Sequence, residues 1–223
     1  WDLHTGELVH QKGEEYGFAG DLASLSALRA VCLHAAMRGY KLQSADVKTA
    51  YLCAKWPDHM PQHYFRIDER TIAYFSPELQ AKVRKLGGPG RVLLPMKRPL
   101  YGHPLAGFLW LAEFAEFLRR DGWTESDSIP SMWSKDDMKL IAYVDDVLVS
   151  GPEGCVAEFW RSMQAEYELS SVGVAERFLG IRITQSRDLV ELDVAEYVAD
   201  VVADFEKSFG KEVRPADTPM TSE

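Results

Sequence analysis

The stretch Met138–Gly151, MKLIAYVDDVLVSG, places two adjacent carboxylates, Asp145 and Asp146, in the middle of an otherwise apolar run. Ile141, Tyr143, Val147 and Val149 are β-formers on either side of the acidic pair, so the pattern predicts a β-hairpin with the carboxylates at its tip. Adjacent like charges in a low-dielectric setting repel one another and lose hydration. The arrangement therefore needs a cation, a turn open to water, or both.

Outward from the hairpin, apolar periodicity predicts the neighbouring elements. GDLASLSALRAVCLHAAMRGYK, residues 20–41, reads as a helix with Asp21 as N-cap and Gly39 as its stop. KLQSADV turns extended and delivers Asp46 at its end. Residues 53–95 read as irregular, punctuated by Pro57, Pro61, Pro77, Pro89 and Gly87–Gly88–Pro89–Gly90, with HYFRI and RVLLPM as short strands. HPLAGFLWLAEFAEFLRRDGW predicts a largely buried helix with Pro104 in its first turn and Asp121–Gly122 ending it. In GCVAEFWRSMQAEYEL, Val156, Phe159, Trp160, Met163 and Tyr167 form one stripe, read as core. RFLGIRIT and DLVELDV predict a further hairpin, and AEYVADVVADFEKSF an amphipathic closing helix. From Leu42 the order is strand, helix, two strands, helix, strand. This is the βαββαβ order of an α+β, ferredoxin-like sandwich with helices on one face of an antiparallel sheet.

In that topology the first strand and the hairpin are neighbours, so Asp46, Asp145 and Asp146 converge at one sheet edge. Three carboxylates pack poorly but suit hard divalent cations, which prefer oxygen ligands. Two such ions, held about 3.5–4 Å apart, activate a hydroxyl and stabilise a leaving pyrophosphate.

Composition bounds the rest. The 223 residues, 46% hydrophobic and 26% charged, suffice for a sizeable core. No apolar run approaches the roughly 18–20 residues of a membrane-crossing helix. The opening WDLHTGELVH has neither an initiator Met nor a signal-peptide core, and with the end PADTPMTSE it predicts a piece of a longer chain. Cys32, Cys53 and Cys155 lack CxxC or zinc-site spacing and read as free thiols. The net charge of −9 is unevenly spread: residues 38–120 hold 14 Lys/Arg against 7 Asp/Glu, and residues 121–223 hold 9 against 22. A basic surface on an acidic protein is compatible with a polyanionic partner.

Taken alone YxDD is a weak signal. LQSADVKTAYL, MKRPLYGHPLAGFLW, LIAYVDDVLVSG, ERFLGIRIT and PADTPM, in this order and at these separations, resemble copia-type retrotransposon reverse transcriptases, the RNA-dependent DNA polymerase region of a Gag-Pol polyprotein. The resemblance runs from about Leu22 to Met220. It implies a polymerase palm over residues 42–223, with a basic irregular insertion at about 53–97 and a primer-grip-like hairpin at about 178–194, preceded by a partial fingers segment and helix over residues 1–41.

Carried over by position, the resemblance makes Asp46, Asp145 and Asp146 the catalytic aspartates. They hold two Mg²⁺ ions, or Mn²⁺, together with the Val47 backbone. Val47, Lys48, Thr49, Ala50 and Tyr51 become the nucleotide-binding segment, with Tyr51 excluding a ribose 2′-hydroxyl. Lys97, Arg98, Tyr143, Phe178, Leu179 and Gly180 become template–primer contacts. The implied partners are an RNA or DNA template with primer, deoxynucleoside triphosphates, and covalently linked RNase H and integrase, in cytoplasmic virus-like particles and without a membrane.

The chain also departs from the family. YGHPLAGFLW stands where YGLKQAPRAW is common, which puts Leu105 at a glutamine position and His103 near the helix start. Cys53 and Ala54 replace Asn and Gly, and ELVHQKGEEYG offers Lys12 alone where a basic fingers strand is expected. These departures motivate a second reading: a degenerate, inactive palm that at most binds nucleic acid. A third, a cyclase-like nucleotidyl enzyme, accounts for the acids but not for FLGIRI or TPM.

Overall fold

The computed structural model describes residues 23–213, so Asp21, Lys12 and the PADTPM segment lie outside the described residues. In chain order the elements are α1 (Leu25–Arg38), β1 (Leu42–Val47), α2 (Ala50–Cys53), β2 (Tyr64–Arg66), α3 (Glu69–Ile72), α4 (Pro77–Lys85), β3 (Leu93–Pro95), α5 (Ala106–Arg120), β4 (Thr124–Glu125), β5 (Met132–Lys135), β6 (Met138–Tyr143), β7 (Asp146–Ser150), α6 (Glu153–Glu166), β8 (Leu169–Val174), β9 (Arg177–Phe178), β10 (Ile181–Gln185), β11 (Val190–Asp193) and α7 (Ala195–Phe209). They divide into two compact units: residues 48–124 belong to one, and residues 23–47 with 125–213 to the other.

The second unit is built on a mixed α/β plan around an antiparallel sheet ordered β4-β5-β6-β7-β1-β8. Strands alternate their faces, and the two faces of β1 meet different helices. Leu42 joins Ile141 and Leu148 under α1, whereas Gln43 accepts a hydrogen bond from the Trp160 indole of α6 at 2.9 Å. Helices therefore cover both faces, where the element order predicts one. The reason is that α1 precedes the βαββαβ run and is not one of its crossovers.

Helix α1 is fixed at both ends. Ser24, not the more distant Asp21, is its N-cap and accepts from the Ala27 N–H at 3.1 Å. Gly39, at φ 67°, closes it in the left-handed conformation that glycine adopts without strain. Its buried face, Ala27, Leu28, Val31, Cys32 and Ala35, packs on Ile141 and Leu148 on one side. On the other it meets Phe178 and Ile183 of a second, three-stranded sheet ordered β11-β10-β9. Burial pushes the Cys32 thiol up to about 11, so it stays a neutral core group.

The first unit contains α5, whose Leu109, Trp110, Phe114, Phe117 and Leu118 are buried as its periodicity predicts. The helix begins at Ala106 with Leu105 as N-cap, so Pro104 lies just ahead of the first turn. HYFRI and RVLLPM supply the paired strands β2 and β3. Between them, where an irregular segment is expected, α3 and α4 bring Ile72 and Val83 to a small core with Ile67 and Val92. Asp68 and Ser76 cap those helices, and Pro77 opens α4.

Candidate functional site

Hairpin β6–β7 turns through two residues, Val144 and Asp145, between the paired Tyr143 and Asp146. Val144 has φ 56°, a conformation that a β-branched residue adopts only under strain and that such turns usually give to glycine. Strain of this kind concentrates at functional sites. The Asp145 carbonyl accepts the Val47 N–H at 2.8 Å, which ties the turn to the end of β1. In the β1–β7 register Asp46 stands directly opposite Asp146. A strand end and a turn about a hundred residues away in the chain thus meet. They do so at the end of two interior strands of the sheet, not at an edge strand.

The crowding has an electrostatic signature. Asp146 is held above the ordinary carboxylate pKa, first by burial, then by the negative charges of Asp145 and Asp46. Like charges directly opposed across an antiparallel pair destabilise it. On its other side Asp46 faces Ser170 of β8, whose hydroxyl donates to the Asp46 Oδ2 at 2.7 Å.

The reverse transcriptase (RNA-dependent DNA polymerase) family pattern matches residues 9–222, a span that includes all three aspartates. The chain belongs to this family. Among its relatives is a retrovirus-related Pol polyprotein from transposon TNT 1-94 of Nicotiana tabacum. It is 23% identical over 207 residues, which is 89% of this chain and 14% of the relative's length. A solved telomerase from Candida albicans, in complex with a TWJ fragment of telomeric RNA, aligns over 86% of this chain and 40% of its own at 12% identity, with a TM-score of 0.39.

Reverse transcriptases generally use divalent cations, and the aspartates fit that need. No three His, Cys, Asp or Glu side chains among the described residues form a ready-made metal cage. A cage is not what Mg²⁺ requires: it is bound through one or two carboxylates, with water and substrate phosphates completing the shell. Asp46 and Asp146, with Asp145 adjacent, supply hard oxygens in that number. Burial first, and then the charges of Asp145 and Asp46, hold the Asp146 pKa up, and a cation bound there would offset both.

The other residues singled out in the sequence have varied settings. Val47 is buried, with its N–H committed to the turn. Lys48 and Thr49 are exposed, Thr49 has φ 53°, and Ala50 is buried at the start of the single-turn helix α2. Tyr51 is half-buried and its ring lies 4.8 Å from that of Tyr101. Lys97 is exposed. Arg98 donates to the Leu52 and Cys53 carbonyls at 2.6 and 2.8 Å, so its guanidinium braces the end of α2. Tyr143 is half-buried against the α1 core. Phe178 is 2% exposed within that core, which leaves Leu179 and Gly180, both at positive φ in the β9–β10 turn, as the accessible part of FLG.

Three polar groupings escape a reading of the sequence. The Ser170–Asp46 bond joins residues 124 apart, and no local pattern signals it. His34 contacts the Ser150 hydroxyl at 3.0 Å and Asp137 at 3.3 Å, while Tyr40 donates to Asp137 at 2.7 Å. Ser150 is fully buried, so this Ser–His–Asp set fastens α1 to the hairpin and has no access for substrate. In the first unit His103 accepts the Leu105 N–H at 3.1 Å and meets His63 at 3.0 Å. Since His103 Nδ1 is the acceptor, its Nε2–H points to His63, and the imidazole braces the backbone of Leu105 just ahead of α5.

Proposed function

We propose that this chain is the catalytic palm region of a copia-type, RNA-directed DNA polymerase that adds deoxynucleotides to a primer 3′-hydroxyl. The observation that carries the proposal is the direct opposition of Asp46 and Asp146, with the Asp145 turn fastened to the same strand end. The strand order β6-β7-β1-β8 supports a ferredoxin-like palm, because it is the order in which the four strands of a βαββαβ run pair. Two Mg²⁺ ions bound there would supply the positive charge that activates the attacking hydroxyl and stabilises the leaving pyrophosphate.

The chain's own contribution is positioning. Asp46 and Asp146 present oxygens from adjacent strands of a rigid sheet, Asp145 adds a third carboxylate, and the Val47–Asp145 bond holds the two backbones in register. Preorganised charge of this kind is the main source of rate in phosphoryl transfer. Lys48 to Tyr51 follow directly in the chain, and the same proposal assigns them to the incoming nucleotide, with Tyr51 as the residue that excludes a ribose 2′-hydroxyl. Template and primer, RNase H and integrase neighbours in a longer polyprotein, and action in cytoplasmic virus-like particles belong to the same proposal.

The test is primer extension on poly(rA)/oligo(dT) with Mg²⁺, comparing the protein with Asp145→Asn. Incorporation by the protein that falls at least 100-fold in the variant supports the reading, whereas equal incorporation removes it. Leu105, an apolar side chain at a position where the family commonly has glutamine, favours a second reading: a degenerate copy that at most binds template–primer without extending it. Salt-sensitive binding with no incorporation is the outcome that selects it.

A further inference from the structure

We propose that Ser170 is a positioning residue for Asp46: its hydroxyl holds one carboxylate oxygen so that the other is presented to a divalent cation. The inference rests on the reading of Asp46 as a cation ligand and adds to it a residue outside the motifs.

Three observations converge. Ser170 Oγ donates to Asp46 Oδ2 at 2.7 Å, the ordinary length of a hydroxyl hydrogen bond. Among the described residues Oδ1 of Asp46 takes no hydrogen bond. One carboxylate oxygen is therefore held by the serine, and the other is left without a hydrogen-bond partner among the described residues.

The second observation is a β-bulge that makes the bond possible. In the β1–β8 pair Ser44 stands opposite Gly173, yet Asp46 stands opposite Ser170. One residue of β1, Ala45, is thus matched by two of β8, Ser171 and Val172. Without the extra residue, Ser171 would face Asp46. Bulges re-aim side chains and are common beside functional sites.

The third is the strain the bulge carries. Ser171 has φ 56°, in the left-handed region that serine seldom occupies. A strained conformation persists where surrounding structure enforces it, and here it puts Ser170 opposite the aspartate.

Residues that hydrogen-bond a metal ligand typically alter metal affinity 10- to 100-fold when replaced. The test is a calorimetric Mn²⁺ titration of the protein and four variants, with circular dichroism to confirm folding and the Mg²⁺ concentration for half-maximal extension as a second readout. Ser170→Ala should weaken Mn²⁺ binding about tenfold, and Ser170→Thr, which restores the hydroxyl, should bind within about twofold of the parent. Ser171→Gly keeps the bulge and should leave affinity unchanged. Ser171→Val, which keeps the Ser170 hydroxyl but disfavours the left-handed backbone, should weaken binding as Ser170→Ala does. Unaltered binding by Ser170→Ala, or failure of Ser170→Thr to rescue, overturns the role of the serine. Absence of Mn²⁺ binding in the parent protein overturns the cation reading of Asp46 and this proposal with it.

Discussion

Asp46 and Asp146 are direct cross-strand partners, two carboxylates where a sheet ordinarily sets an attractive pair. An opposed like-charge pair costs about 0.2–1 kcal/mol, and burial adds to the penalty on Asp146. Replacing Asp146 by Asn should therefore stabilise the metal-free fold, raising Tm by about 1–3 °C for a chain of this size. Millimolar Mg²⁺ should raise the Tm of the parent protein and leave that of the variant nearly unmoved. Thermal melts in EDTA and in Mg²⁺ check both halves. A variant less stable than the parent in EDTA would contradict the electrostatic account.

The bond between Tyr40 and Asp137 predicts a pH dependence at both extremes. Hydrogen bonds from Tyr40 and then His34 hold Asp137 below its ordinary 3.8. A lowered carboxylate pKa contributes stability above the ordinary value and loses it as pH falls through the folded value. The same bond holds Tyr40 above its ordinary 10.0, so that contribution is full below pH 10.0 and is lost as pH rises through the folded value. Urea midpoints measured against pH should show a shallower acid limb in Asp137→Asn and a shallower alkaline limb in Tyr40→Phe.

Gly151 ends the hairpin at a close approach. A Cβ built there would lie 2.4 Å from Met138 Cγ and 3.3 Å from Met138 Cα. The Met138 side chain is buried and its backbone is paired in β6, so neither yields freely. Gly151→Ala should cost about 1–3 kcal/mol through overpacking, read as a lower urea midpoint at unchanged slope.

Helix α7 predicts the opposite behaviour. None of its residues is buried, and Tyr197, Val198, Val201 and Phe205 are 42–60% exposed. Val201→Lys should change stability by no more than about 0.5 kcal/mol, whereas Phe159→Ala, at a core position of α6, should cost about 3–5 kcal/mol. Equal losses for the two would mean that α7 is packed in solution.

Periodicity made the long helices legible. The apolar stripes of α1, α5 and α6 span three or more turns, and Gly39 and Asp121–Gly122 mark the ends of α1 and α5. Helices α3 and α4 were hidden by the proline and glycine punctuation around them, although Asp68 and the pair Ser76–Pro77 are ordinary start signals. Short helices bury one or two residues each, too few to show a period.

The acidic site divides in the same way. Asp145 and Asp146 were visible because charge interrupts an apolar hairpin, and strand order brings Asp46 to them. Ser170 was not visible, because a bulge of one residue decides whether Ser170 or Ser171 faces Asp46. Local letters also leave open where a side chain points. Phe178 lies in the α1 core, and the Arg98 guanidinium is occupied by backbone carbonyls at the end of α2.

The central claim is that oxygens from the end of β1 and from the β6–β7 turn serve one cation. Calorimetric titration of Mn²⁺–dTTP into the protein, Asp46→Asn and Asp146→Asn tests it most directly. Saturable binding to the parent is expected, weakened at least about tenfold in each variant although the substitutions lie on different strands. Binding of equal strength in all three proteins would contradict it.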